Sequence, residues 1–70
     1  MRISSRRCLI PELLAKRGLS QRQLANAVGM DERVISRYVA ENSMMSFPTA
    51  VMIADVLKCN PRDLYEWSTD

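Results

Sequence analysis

Arg33 and Arg37 stand four residues apart, which puts two guanidinium groups on one side of a helix. A guanidinium is a planar fork of donors able to bond bidentately to guanine. That is recognition chemistry: hydrogen bonds and ion pairs, with no covalent bond broken. Catalytic chemistry has little to start from. There is no histidine, no Gly-rich phosphate loop and no paired carboxylates in a plausible cleft, and 70 residues are too few to enclose one. Cys8 and Cys59 have no adjacent base in sequence and, without histidine, cannot build a zinc site of the usual kind within one chain. They read as two buried thiols rather than a disulfide. No enzyme, no metal and no cofactor is expected.

The charge supports a polyanionic partner. The formal net charge is +2, but residues 1–37 carry +5 and residues 38–70 carry −3. The basic half is the half that holds the arginine pair, as expected where one face meets nucleic acid. An apolar share of 47% with 26% charged residues suits one folded domain, residues 1–70. No apolar run approaches a membrane span, and the basic start lacks a signal core and cleavage site, so a cytoplasmic location is expected.

The arginines need a helix held at a fixed angle, and residues 20–38 spell one out. Ser20 is a good N-cap and forms a capping box with Gln23. Leu24, Ala25 and Val28 follow at helical spacing, and Gly29 ends the helix. Asp31 caps a second helix, whose apolar positions are Val34, Ile35 and Tyr38. Two short capped helices joined by a tight turn can lay the second across a DNA major groove.

Around this pair three more helices are predicted. The first starts near Pro11, buries Leu13 and Leu14, and ends at Gly18, leaving residues 1–8 as a basic N-terminal arm. Glu41–Phe47 reads as a loop. The fourth helix runs from about Pro48 to Lys58 with a broad stripe of Val51, Ile53, Ala54, Val56 and Leu57. Asn60-Pro61 and Asp63 signal a fifth, carrying Leu64, Tyr65 and Trp67 to the chain end. Only residues 2–10 hint at a strand; Ile3 to Ile10 is a candidate to pair with its copy in a second chain.

The ordered set Leu19-Ser20-Gln21-x-x-Leu24-Ala25, Val28-Gly29-Met30, Val34-Ile35-Ser36-Arg37, Ile53-Ala54-x-x-Leu57 and Cys59-Asn60-Pro61-x-Asp63-Leu64 resembles the lambda-repressor-like family, the Cro/cI-type helix-turn-helix regulators. The resemblance covers about residues 9–67. It implies an all-α, compact five-helix domain with the helix-turn-helix formed by helices 2 and 3. It also implies a sequence-specific DNA-binding transcriptional regulator, a repressor, that inserts about residues 31–39 into the major groove. Position by position, Gln21 matches the glutamine that opens the second helix and bonds a DNA phosphate, and Arg22 stands beside it. Asp31, Glu32, Arg33 and Arg37 match exposed recognition-helix positions, with Ser36 at their edge toward phosphate. Glu32 either accepts from cytosine or orients an arginine, and Asp31 is better read as an N-cap.

Two departures stand out. Relatives often follow the recognition helix with Glu-x-Gly, their glutamate pairing with a base in helix one. Here Val39-Ala40-Glu41 occupies those places and Leu14 the matching site, so an apolar contact replaces an ion pair. The loop after the recognition helix, often basic in relatives, has no Lys or Arg here, which implies fewer phosphate contacts unless Arg2, Arg6 and Arg7 supply them. The expected partners are double-stranded DNA and a second copy on DNA, with no membrane and no small-molecule ligand evident. Tyr65, Trp67, Met44, Met45 and Phe47 are candidates for a self-contact, with core packing the preferred reading for Phe47 and Trp67. The rival reading is a protein-interaction module of the same fold, antitoxin-like or anti-repressor, with little intrinsic DNA binding.

Overall fold

The computed structural model describes the backbone of residues 3–69 and the side chains of residues 7–68. Along the chain lie β1 (Ile3–Cys8), α1 (Ile10–Arg17), α2 (Gln21–Val28), α3 (Glu32–Val39), α4 (Phe47–Leu57), a 3-10 turn (Pro61–Leu64) and β2 (Tyr65–Thr69). The fold is mostly helical, with α2 and α3 packed as the helix-turn-helix pair.

Local chemistry sets the helix starts. The Ser20 hydroxyl accepts from the Gln23 amide at 3.1 Å, and the Gln23 side chain accepts from the Ser20 amide at 2.8 Å. Asp31 accepts from the Arg33 amide at 2.8 Å, and Ser46 from the Thr49 amide at 3.4 Å.

All four α-helices end on one device. A residue in the left-handed region (Gly18, Gly29, Glu41 or Lys58) turns the chain. The next amide then reaches back to an orphan carbonyl: Leu19 to Leu14 at 3.0 Å, Met30 to Ala25 at 2.9 Å, Asn42 to Arg37 at 3.0 Å, and Cys59 to Ala54 at 3.0 Å. At α4 the Arg17 guanidinium adds a second lock, its Nε donating to the Leu57 carbonyl at 2.9 Å and its Nη2 to that of Lys58 at 3.2 Å.

One core forms where the helices meet. Ile10 and Leu14 of α1, Leu24 and Ala25 of α2, Ile35 of α3, and Ile53, Ala54 and Leu57 of α4 are buried there, with Cys8, Leu64 and Tyr65 closing it. Val39 packs against the same core as Leu14, consistent with an apolar replacement for the family's ion pair.

The fifth helix is the main correction. Asn60 and Asp63 do start a helical turn, the Asn60 amide donating to Asp63 Oδ2 at 3.4 Å, but the helix lasts one 3-10 turn. The chain then extends as β2 and pairs antiparallel with β1, Ile3 opposite Thr69 and Ser5 opposite Trp67. Tyr65-Glu66-Trp67 alternates bulky and polar residues, a strand rhythm with two β-favouring aromatics. The basic arm is thus a strand on its own chain's terminal segment, not on a copy.

A bulge sets Arg6 and Arg7 against Glu66, since Cys8 faces Tyr65. Arg7 lies between Glu12 at 3.6 Å and Glu66 at 3.7 Å, so it is committed within the fold. Three placements also differ from expectation. Phe47 is 75% exposed, because α4 begins beyond the edge of the core. Trp67 is 37% exposed, set edge-on to Tyr65 with centroids 5.9 Å apart, its indole N–H donating to the Arg62 carbonyl at 2.7 Å. Val51, counted in the buried stripe of α4, is exposed.

Candidate nucleic-acid interface

The helix-turn-helix brings all seven predicted site residues onto two adjoining stretches: Gln21 and Arg22 in the first turn of α2, and Asp31, Glu32, Arg33, Ser36 and Arg37 on α3 and its cap. Gln21 is half-buried and the other six are exposed. The Ser36 hydroxyl donates to Gln21 Oε1 at 2.9 Å, a bond between the two helices that fixes where the start of α2 sits beside α3. Neither side chain is used up: Gln21 keeps its amide donors and Ser36 an acceptor.

The charges on this face are largely spoken for. Arg33 grips Asp31, with Nη2 to Oδ2 at 3.1 Å and Nε to Oδ1 at 3.4 Å. Those side-chain bonds from Arg33, with its backbone amide, hold the Asp31 carboxyl below its ordinary range. Asp31 is therefore the expected N-cap and, beyond that, a clamp on Arg33. Glu32 takes Arg22 of α2 across the turn at 3.5 Å, an exposed pair in the DNA-free protein.

Arg37 differs. Among the described residues it makes no ion pair, and it lies one helical turn beyond Arg33 on the same side. The five charged residues of the face sum to +1, so Arg37 carries its net charge.

Behind the face, Glu41 stands where relatives carry glycine and adopts the glycine conformation, φ 64°. Its carboxylate accepts from the Cys8 amide at 3.2 Å and so ties the end of α3 to the strand pair. Neither this brace nor the Gln21–Ser36 bond was anticipated from sequence. Both need the tertiary fold to bring the partners together.

The thiols offer no reactive centre. Cys8 is buried, Cys59 half-buried, and both are free. Burial is the main cause pushing both thiols up from their ordinary value, away from the thiolate a nucleophile needs. Among the described residues no cluster of three or more His, Cys, Asp or Glu is placed to hold a metal ion, and no helix is long and apolar enough to cross a membrane.

Comparison with known proteins points one way. A family model for the Cro/C1-type helix-turn-helix DNA-binding domain matches residues 10–70. An uncharacterised helix-turn-helix-type transcriptional regulator, YopS, derived from the SPbeta prophage of Bacillus subtilis, is 38% identical over 64 residues, 90% of this chain and 86% of that protein. The crystal structure of an inferred DNA-binding protein from Bacteroides fragilis superposes with a TM-score of 0.76 at 31% identity, covering 93% of this chain and all of the other. The transcriptional regulator VanUg shares the fold at a TM-score of 0.70 and 23% identity, over 99% of this chain and 88% of its own. Motif order, helix geometry and these likenesses agree: the chain belongs to the Cro/C1-type helix-turn-helix family, a family of DNA-binding domains and not of enzymes.

Proposed function

We propose that the protein is a sequence-specific transcriptional regulator, a repressor acting in the cytoplasm, which reads DNA by laying α3 in the major groove. The observation that supports this most directly is the exposed edge of α3, where Arg37 projects beside a cap and ion pairs that fix its neighbours. Gln21, Arg22, Ser36 and Arg33 contact the backbone and flanking bases, Arg33 after release from Asp31. Occupancy alone is enough to exclude a polymerase. The relatives described as transcriptional regulators support the same assignment.

Reading two half-sites calls for two copies, and α4 offers the surface. Its exposed face presents Phe47, Val51 and Met52, with Met44 before it and Trp67 beside it, and these are the large hydrophobics exposed among the described residues. A helix apolar on its outer face wants a partner. In this reading the second copy covers it.

A footprint on the producing organism's own promoter DNA, paired with solution mass, tests both parts. Arg37→Ala should weaken specific binding by about 1–3 kcal/mol while leaving random DNA nearly unaffected. Equal loss on both DNAs would reduce Arg37 to a phosphate contact. Promoter and random DNA bound alike at moderate salt, with a partner protein masking Met44 and Phe47, would favour the interaction-module reading instead.

A further inference from the structure

On the side of the molecule formed by α1, the end of α4 and β2, a cavity of about 390 Å³ opens to solvent. Nothing from α3 lines it, so it is separate from the DNA-reading face. We propose that this cavity is a binding site for a small aromatic carboxylate.

Its chemistry is two-sided. Leu13 and Leu57 supply apolar wall, and the Tyr65–Trp67 pair closes one end. Trp67 has its N–H occupied by the Arg62 carbonyl, so what it offers a ligand is ring surface. Four cationic residues line the cavity as well: Lys16, Arg17, Lys58 and Arg62. Against them stands one carboxylate, Asp63, which accepts from the Asn60 amide at 3.4 Å.

One of these cations has its side chain held in place by the fold. Arg17 is pinned by the Leu57 and Lys58 carbonyls, and Lys58 sits at the left-handed turn that ends α4. Cationic side chains lining the same cavity as aromatic and aliphatic ones suit a ligand with one apolar ring system and one anionic group. The volume falls in the range of small-molecule pockets, which take mostly apolar ligands oriented by a few polar groups.

The chain has a single tryptophan, Trp67, which lines this cavity and also the neighbouring groove with Met44 and Phe47, so a Phe47 variant is needed to assign its fluorescence to one of them. The test titrates the full chain with 1-naphthoate, at a protein concentration where solution mass is constant, and follows Trp67 quenching. Saturable quenching is expected. The neutral analogue 1-naphthalenemethanol should bind at least about tenfold more weakly, the size of effect that one lost charge contact gives. The double substitution Lys16→Glu, Lys58→Glu should cause a similar loss for naphthoate, while Phe47→Ser, on the α4 face, should leave it unchanged.

Absence of saturation overturns the proposal, as does equal binding of the alcohol. Naphthoate affinity retained by the charge-reversed variant with native circular dichroism overturns it too. Should that variant fail to fold, the comparison of acid with alcohol on the unaltered protein decides. None of these readouts involves DNA, so the site stands or falls independently of the operator.

Discussion

The helix-turn-helix and the strand pair are both small, but they are assembled from opposite kinds of information. In α2 and α3 the cap, the capping box, the turn glycine and the apolar face all lie within twenty residues. In the ribbon, Ile3 meets Thr69 and Cys8 meets Tyr65, partners drawn from the two ends of the chain. The first unit is specified by near neighbours and only then packed. The second exists because α1–α4 have already carried the termini together. Closing so long a loop costs entropy before any contact repays it. The element that reads DNA is thus locally determined, and the element that braces it is globally determined.

Removing the shared support should produce the largest effect. Ile35 is fully buried where α3 enters the core. Ile35→Ala should cost about 2–5 kcal/mol in denaturant unfolding, enough to threaten a domain of this size. A loss under about 1 kcal/mol would mean that α3 is held by its caps and polar bonds and not by the core. Native-state hydrogen exchange sharpens the contrast: the Leu24 and Ile35 amides should open only with global unfolding, while those of Ser5 and Trp67 should exchange through a lower-energy opening of the ribbon. Ribbon amides as slow as those of α2 and α3 would erase the distinction.

Next in size is the local signal itself. Ser20→Ala removes a hydroxyl that satisfies the Gln23 amide and breaks the reciprocal box. It should destabilise by about 1 kcal/mol, and Ser20→Gly by less. No change would imply that packing alone sets the start of α2.

A smaller pair of substitutions compares the two non-glycine helix ends. Lys58 and Glu41 both hold a left-handed backbone, φ 59° and 64°. Lys58→Gly should stabilise by several tenths of a kcal/mol up to about 1, because the strain of a side chain there is relieved. Glu41→Gly should gain less or nothing, since it also discards the carboxylate that accepts from the Cys8 amide. Equal gains would show that this brace between α3 and the ribbon contributes little.

The same contrast explains what could be read from sequence. The starts near Pro11, after Ser20 and at Asp31 fall within a residue of the observed helices, and α4 begins one residue before Pro48. Each of those signals is local. Gly18 and Gly29 announced their helix ends; Glu41 and Lys58 use the same turn without the residue that advertises it. The start signal at Asn60-Pro61 is real, yet it opens only a 3-10 turn, because Tyr65 and Trp67 find a strand partner from the far end of the chain. The hydrophobicity of Phe47 suggests the core, but exposure depends on where a helix begins relative to its neighbours. Of the candidate site, the sequence placed seven residues that the fold gathers on α2 and α3. Which arginines are held by their own carboxylates was not legible there, since rotamers and the angle between α2 and α3 decide it.

The finest test concerns proton linkage, with opposite signs in the two regions. In the helix-turn-helix, Asp31 is held below its ordinary range by Arg33. A lowered carboxyl pKa stabilises the fold above the unfolded value, and that contribution fades as pH falls toward the folded one. Because Asp31 is exposed, the effect on stability should be small, and Asp31→Asn should flatten the acid limb only slightly. In the ribbon, Cys8 and Tyr65 are pushed up chiefly by burial. Their contribution is complete below the ordinary thiol and phenol values and is lost as pH rises toward the raised ones, because the unfolded chain ionises first. Cys8→Ala should therefore flatten the alkaline limb of a stability profile and leave the acid limb as it was. An alkaline limb unchanged by Cys8→Ala would mean that the ribbon opens before the thiol titrates. The strand pair would then be no part of the cooperative unit, and the core would be α1–α4 alone.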